Sequence, residues 1–470
     1  MTNLSSLLTE HPFSDHEPLL HTLDRAVTAG DARRAAAVLA DDLRQKGVDP
    51  GQAVAAQLPN GPEAVIAMLG TWMAECVWVP VNPRSPSHEV DRIIEVTQPA
   101  ALLDEYGLTA DRDGRTYEPG VGFVLWTSGT TGKPKAVLHT HHAYLELIDR
   151  VLGPLRGGPG DRSRSPTPNL IPVSLALNAG IYNALFGLRA GAALVIIARF
   201  EASDFAALVG RFQIRSTVLP PAAITMLNDD PEIGDLSPLR YVRSITAPLS
   251  PLQARRFTER FHALVLNGYG QAEIGEVIGW TAADAKAYPD KVGAVGRPHP
   301  GVQIRVVGDD ASVVEPGETG RLRVRPPNRA LGYAAGGDLE DRVDADGYVD
   351  TGDMARVDSD GFVWIEGRAS DVINRGGNKV YPGDVEEVLR LSPAVTDVAV
   401  VGAPDDRLGA VPVAFFTGDP APAGELEALC RDHLAPYKVP VAFHHVRQLP
   451  RNETGKVLRA DLVSQAIVEP

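Results

Sequence analysis

The stretch Phe123-Val124-Leu125-Trp126-Thr127-Ser128-Gly129-Thr130-Thr131-Gly132-Lys133-Pro134-Lys135-Ala136-Val137 decides how the rest of this chain reads. An apolar run, Phe123 to Trp126, has the look of a buried strand, and it opens into a polar loop with two glycines three apart, four hydroxyl residues and two lysines. That is the make-up of a phosphate cradle. Glycines let backbone N–H groups approach phosphate oxygens, hydroxyls donate hydrogen bonds and lysines bring positive charge. It differs from the Walker P-loop, which needs four residues between its first glycine and the Gly-Lys pair and a Ser or Thr after it. Here Thr130 and Thr131 alone intervene, and Pro134 follows Lys133.

Working outward on the N-terminal side, Ala35 to Leu43 has helical periodicity and Val54 to Leu58 is a short apolar strand. Glu63 to Met73 is a second helix and Val77 to Val81 the next strand, and strand, helix, strand at this spacing predicts a parallel sheet. Residues 1 to about 30 read as a leader and entry helix, and 104 to 122 as a surface connection rich in Gly, Asp and Pro. On the C-terminal side, Leu185 to Ile197, Ser216 to Leu219 and Tyr241 to Ile245 continue an α/β alternation. From about Gly293 the pattern changes to alternating apolar and polar residues, as in 302–306 and 320–324, which predicts small antiparallel sheets. Beyond Arg368, a helix at Asp384 to Leu391, a strand at Val395 to Val401 and a helix at Gly424 to Leu434 predict a small α+β domain. The expected fold is α/β: a large N-terminal domain over 1–368 with an antiparallel β subdomain at about 293–366, then a small mobile α+β domain over 371–470.

Composition sets outer bounds. A chain of 470 residues is long for one core. A net charge of −15 offers no field for nucleic acid or an anionic membrane. There is no apolar run of spanning length and no signal-like stretch among the first twenty residues, so the expectation is a cytoplasmic protein without membrane or nucleic-acid partners. The two cysteines, Cys76 and Cys430, sit in helix-like patterns and predict neither a disulfide nor a zinc site. Of 45 basic residues eight are lysine, and four of those, Lys133, Lys135, Lys379 and Lys456, fall inside the motifs described here.

Four further stretches stand in order behind the phosphate loop: Asn267-Gly268-Tyr269-Gly270-Gln271-Ala272-Glu273 after the strand Leu264-Val265-Leu266; Gly347-Tyr348-Val349-Asp350-Thr351-Gly352-Asp353; Glu366 to Val380; and Leu449 to Val457 around Lys456. Together the five resemble the adenylate-forming superfamily, which holds acyl-CoA synthetases, the adenylation domains of peptide synthetases, and luciferases. The resemblance runs from about Gly47 to Leu458.

It implies an enzyme that uses ATP and Mg2+ to convert a carboxylic acid to an acyl-adenylate, releasing pyrophosphate, and then passes the acyl group to a thiol. Coenzyme A, or the phosphopantetheine arm of a separate acyl carrier protein, is the implied acceptor; an amine acceptor, or a non-catalytic nucleotide-binding relative, are the alternatives. By the same resemblance Thr127, Ser128, Gly129, Thr130, Thr131, Gly132 and Lys135 bind phosphates. Tyr269 stacks on the adenine, Asp353 accepts from the ribose hydroxyls, and Ala247, Gly270 and Arg368 also bind ATP. Glu273 holds the metal, and Lys456 joins it as a catalytic residue beside the reacting carboxylate. Leu177, Asn178, Ile245, Thr246, Gly268 and Gln271 line the acid pocket. Ser370 is the hinge, and Asn374, Gly376, Gly377 and Lys379 form the loop of the second half-reaction. Three positions depart from the family pattern: Ala272 where threonine is usual, Ser370 where Asp or Lys is commoner, and Ile245-Thr246 in place of two glycines. The last fills space, and with no aspartate in the first pocket segment, 172–180, the expectation is a short acyl or aryl acid rather than a fatty or α-amino acid.

Overall fold

The computed structural model describes residues 3–127, 135–156, 167–245, 249–335, 338–451 and 456–468. Its architecture is the expected mixed α/β. A seven-stranded sheet runs, edge to edge, through Gly332–Tyr333, Lys135–Thr140, Val121–Thr127, Val77–Pro80, Ala53–Ala56, Ala101–Asp104 and Gly107–Thr109. The four strands from Val121–Thr127 to Ala101–Asp104 are parallel, and the outer pairs are antiparallel. Fully buried Val54, Val77, Val79, Phe123 and Val124 make the middle of this sheet apolar on both faces, as parallel strands covered by helices require.

The covering helices Ala29–Gln45 and Pro62–Met73 lie against each other. Thr28 starts the first of them, its hydroxyl accepting from the Asp31 N–H at 3.1 Å, with Asp31 in the first turn and Arg44 in the last matching the helix dipole. Their contact is close because Gly70 has no side chain: a Cβ there would stand 2.8 Å from the Ala36 carbonyl oxygen. Trp72, fully buried, donates through its indole N–H to the Gly122 carbonyl at 2.6 Å and ties the second helix to the strand that leads into the phosphate loop.

A three-stranded parallel sheet, Ser216–Leu219, Tyr241–Ser244 and Leu264–Asn267, forms a second α/β unit with the helices Ala202–Phe212, Pro221–Asp229 and Pro251–Phe261. The expected antiparallel part follows as Gln303–Val307, Gly320–Arg325, Val349–Val357 and Val363–Arg368. The C-terminal portion wraps a five-stranded sheet, dominated by the long hairpin Val395–Asp405 and Gly409–Gly418, with the helices Pro382–Leu389, Ala423–His433 and Arg459–Val468.

Four expectations need correction. Residues 3–30 are built into the fold: Pro18–His21 pairs in parallel with Leu194–Ile196, and Leu4, Leu8, Leu19 and Leu20 are buried in the main core. The connection 104–122 contains the edge strand Gly107–Thr109 and buries Tyr117, whose hydroxyl donates to the Thr97 carbonyl. Cys76 lies beyond its helix, just before the strand Val77–Pro80, while Cys430 is helical; both are free and buried. The strand expected at Val54 to Leu58 ends at Ala56.

Two histidines are enclosed beneath the phosphate-loop hairpin. His139 stacks on Phe123 and His141 meets Trp72 edge-on, and the Leu4 N–H donates to His141 Nδ1, so the ring must offer a lone pair there. Burial pushes His139 down to about 3 and His141 to about 4. A histidine whose folded pKa lies below its unfolded value of ~6.5 supports the fold above that value and loses its contribution as pH falls toward the folded pKa. Stability is therefore expected to decline between pH 7 and 5 by about 2 kcal/mol for each ring. Urea melts at the two pH values check this, and His139→Phe should remove about half of the decline.

Candidate active site

Among the expected residues, the structure groups Lys135, Tyr269, Gln271, Glu273, Asp353, Arg368 and Lys456 through shared contacts and charges. The strands Val121–Thr127 and Lys135–Thr140 pair with Thr127 opposite Lys135, so the loop between them is anchored at both ends. Ser128, Gly129, Thr130, Thr131, Gly132 and Lys133, as well as Thr246 and Ala247, lie outside the described residues. The Lys135 ammonium sits 4.6 Å from the centroid of the Tyr333 ring. Tyr333 belongs to the two-residue strand that pairs with this hairpin from two hundred residues away.

Glu273 is buried and follows the short hairpin strand Tyr269–Gln271. Its Oε1 accepts from the Tyr333 hydroxyl at 2.9 Å and from Arg342 at 3.0 Å, which leaves Oε2 without a protein partner among the described residues. Arg342 also donates to Gln271 Oε1 at 3.0 Å and to the Asp350 carbonyl, so one guanidinium fixes both ends of the Gln271–Glu273 segment. Close backbone approach explains Gly270: a Cβ there would stand 2.2 Å from the Gly275 carbonyl oxygen across the hairpin.

Asp353, on the strand Val349–Val357, is the second buried carboxylate. Oδ2 accepts from the Tyr269 hydroxyl and from Gln271 Nε2 at 2.9 Å; Oδ1 meets Arg368 Nε at 2.9 Å. Arg368 donates as well to the Thr351 carbonyl at 3.2 Å. Burial raises the Asp353 carboxyl above the usual range although Arg368 opposes it, and burial together with Asp353 raises the Tyr269 phenol. Tyr269 thus stays a neutral donor.

Lys456 arrives from the C-terminal portion and completes the group. It is sunk deeply enough for burial, then Arg368, to lower its pKa, while the Asp353 and Glu273 carboxylates pull the other way. Its ammonium therefore senses all three charged members of the cluster. The other C-terminal motif is engaged elsewhere. Asn374 and Lys379 pair across the hairpin Ile373–Arg375/Asn378–Val380, and Lys379 Nζ meets Asp309 Oδ2 at 2.8 Å. The two residues between its strands are Gly376 and Gly377, at φ +54° and +88°, which is what a two-residue turn between right-twisted strands demands. Ser370 sits in the 3-10 turn Ala369–Asp371, exposed, its hydroxyl on Asp371.

The pocket residues are placed less uniformly. Gly268 and Ile245 are neighbours: a Cβ on Gly268 would lie 3.6 Å from Ile245 Cγ2. Leu177 caps the helix Asn178–Arg189 without a side-chain bond, and Asn178 accepts from the Tyr144 hydroxyl at 2.8 Å. Gln271 donates to Asp353 Oδ2 at 2.9 Å and accepts from Arg342 at 3.0 Å.

Sequence reading missed Arg342, Tyr333 and a buried group formed by Arg150, Tyr182, Arg243, Glu276 and His299. Arg243 had a visible signal, a lone charge within the apolar strand Tyr241–Ser244; Arg342 and Tyr333 stand in no motif. Among the described residues no three potential metal-ligating side chains gather, and no helix is long and apolar enough to cross a membrane.

Known proteins fit this geometry. The family model for AMP-binding enzymes matches residues 11–122 and 118–334, and that for the AMP-binding enzyme C-terminal domain matches 384–456. The indoleacetate–CoA ligase of Aromatoleum aromaticum is 32% identical over 369 residues, covering 77% of this chain and 70% of the ligase. A feruloyl-CoA synthase of an Amycolatopsis species is 29% identical over 478 residues, covering 96% of each protein. The solved amide bond synthetase of Marinactinospora thermotolerans superposes with a TM-score of 0.85 at 26% identity, covering 98% of this chain and 99% of that one. With both family models matched in order along its length, the chain belongs to the AMP-binding, adenylate-forming enzymes.

Proposed function

We propose that the protein is an AMP-forming acid–thiol ligase: it activates a small carboxylic acid with ATP and transfers the acyl group to coenzyme A. The supporting observation is that Lys456, from the C-terminal portion, is desolvated within the electrostatic reach of Glu273, Asp353 and Arg368 of the large domain. A lysine whose ammonium is partly desolvated beside two carboxylates gains most when further negative charge arrives. That is what the substrate carboxylate and the α-phosphate bring as they react.

In this reading the acid's carboxylate oxygen attacks the α-phosphorus, the bond to the β-phosphate oxygen breaks, and pyrophosphate leaves. Thr127, Ser128, Thr130, Thr131 and Lys135 hold the departing phosphates, with Gly129 and Gly132 letting the backbone close on them. Tyr269, Gly270 and Ala247 border the adenine; Asp353, aligned by Arg368, accepts from the ribose hydroxyls. Mg2+, when bound, would neutralise phosphate charge from Glu273 Oε2, and one carboxylate with that oxygen open suits a cation that keeps most of its water and takes the rest of its ligands from phosphates. Lys456 stabilises the charge on the reacting centre. The hinge at Ser370 then brings Asn374, Gly376, Gly377 and Lys379 to the site, and the thiol displaces AMP.

Pyrophosphate release from MgATP across aryl, short aliphatic, dicarboxylic and amino acids tests the first step; no release with any acid would overturn it. Adding coenzyme A, or an amine in its place, tests the second. The amide bond synthetase among the structural neighbours gives the amine its standing as the other acceptor. Gly377→Val should separate the two steps. A β-branched residue at φ +88° carries a cost of about 1–2 kcal/mol, so thioester formation should fall about 5- to 30-fold while pyrophosphate release stays within about twofold. Equal loss in both would remove the hairpin from the second step.

A further inference from the structure

The buried charged group missed by sequence reading lies against the acid pocket. Glu276 Oε1 is 3.5 Å from where a Cβ on Gly268 would stand, and Gly268 and Ile245 are both pocket positions. That oxygen is paired with Arg243 and approached by His299 Nε2 at 3.2 Å. Arg150, from the helix His141–Arg156, reaches the Glu276 carbonyl at a long 3.5 Å. The Tyr182 hydroxyl, on the helix Asn178–Arg189, lies within the electrostatic reach of Arg243, Arg150 and Glu276.

Two guanidiniums meet one acidic residue here: Arg243 pairs with the Glu276 carboxylate, and Arg150 reaches only its backbone carbonyl. The nearby acids are engaged: Asp149 is held by Arg189 at 2.7 and 2.9 Å, and Glu146 by Asn328 and His142. Arg150 Nε is buried and has no hydrogen-bond partner among the described residues. The Tyr182 hydroxyl lies against the Arg243 guanidinium and can accept from it, while its own proton meets no acceptor among the described residues. Burial lowers the Arg150 pKa, whereas Glu276 and Tyr182 outweigh burial and raise that of Arg243. The two arginines are thus unequal, one neutralised and one not. Yet the Arg243 side chain keeps 27% of its surface accessible, so the corner opens onto space. A purely structural ion pair needs Arg243 and Glu276 alone; a second buried guanidinium with an orphaned N–H costs stability unless an anion meets it.

We propose that Arg150, Tyr182 and Arg243 form the far end of the acid pocket and bind a second anionic group, a carboxylate or sulfonate, carried by the substrate acid. The proposal rests on the acid-activating reading above and narrows its substrate to acids with two acidic groups. Glu276 and His299 are positioning residues: they hold Arg243 in place and keep the corner's excess charge at about one.

The test compares matched acids in pyrophosphate release: butyrate with succinate, and benzoate with isophthalate and 3-sulfobenzoate. The doubly acidic member should be preferred in kcat/KM by about 10- to 100-fold, the worth of one or two charge-assisted hydrogen bonds. Arg150→Met should collapse that ratio toward one, and Arg150→Lys should restore part of it. A preference for the singly acidic members overturns the proposal and leaves adenylation standing. Silence with every acid overturns adenylation instead, and calorimetry then decides the pocket. Isophthalate binding that Arg150→Met weakens tenfold supports it, and binding that is absent or unaffected by the substitution overturns it.

Discussion

Replacing Lys456 with alanine is expected to lower acid-dependent pyrophosphate release by about 10²–10³-fold, the usual loss when one preorganised charge is removed from a reacting centre. ATP binding should survive within about threefold, because the phosphate loop and the Asp353–Arg368 pair stay intact. Burial lowers the pKa of this lysine, so alanine removes a charge that is costly to desolvate. Pyrophosphate release with the best acid and calorimetric titration with ATP, run on the same preparation, check the prediction. Parallel loss of rate and ATP affinity would place Lys456 on the nucleotide rather than on the reacting atoms.

Asp353→Asn should act in the opposite way, on affinity before rate. The carboxylate gathers the Tyr269 hydroxyl, the Gln271 amide and the Arg368 guanidinium. An amide of the same shape brings one acceptor oxygen and an NH2 that must face a donor, and Arg368 loses its counter-charge. Hydrogen bonds to charged groups are worth about 1.5–3 kcal/mol, so ATP should bind about 10- to 100-fold more weakly. The large domain should lose stability as well, because Arg368 and Tyr269 are left partly unsatisfied. Unchanged ATP affinity would move the ribose away from this carboxylate.

The residues that were legible in the sequence are those whose role is written locally. The alternation in Gln303–Val307 shows a half-buried strand, and a polar loop after an apolar strand shows a ligand end of an α/β sheet. Each signal spans a handful of residues. What could not be read depends on chain segments far apart. Tyr333 reaches Glu273 because a strand of two residues finds the phosphate-loop hairpin, and two residues carry no periodicity. Arg342 looks like one surface arginine among many until the fold sets it between Gln271 and Glu273. Pro18–His21 was unreadable for a different reason: it is four residues long, its local partner Ala26–Thr28 has three, and its parallel partner lies 174 residues away, Leu20 opposite Leu194.

The pair between Lys379 and Asp309 lies on the outside, with 43% and 85% of the two side chains accessible. Exposed ion pairs contribute about 0–1 kcal/mol and weaken as salt screens them. Under the hinged reading proposed above, a latch of that strength would shift the balance between two arrangements by about fivefold at most. Substrates that favour either arrangement by even a modest margin would set its direction, and ionic strength would act as a dial on the resting balance.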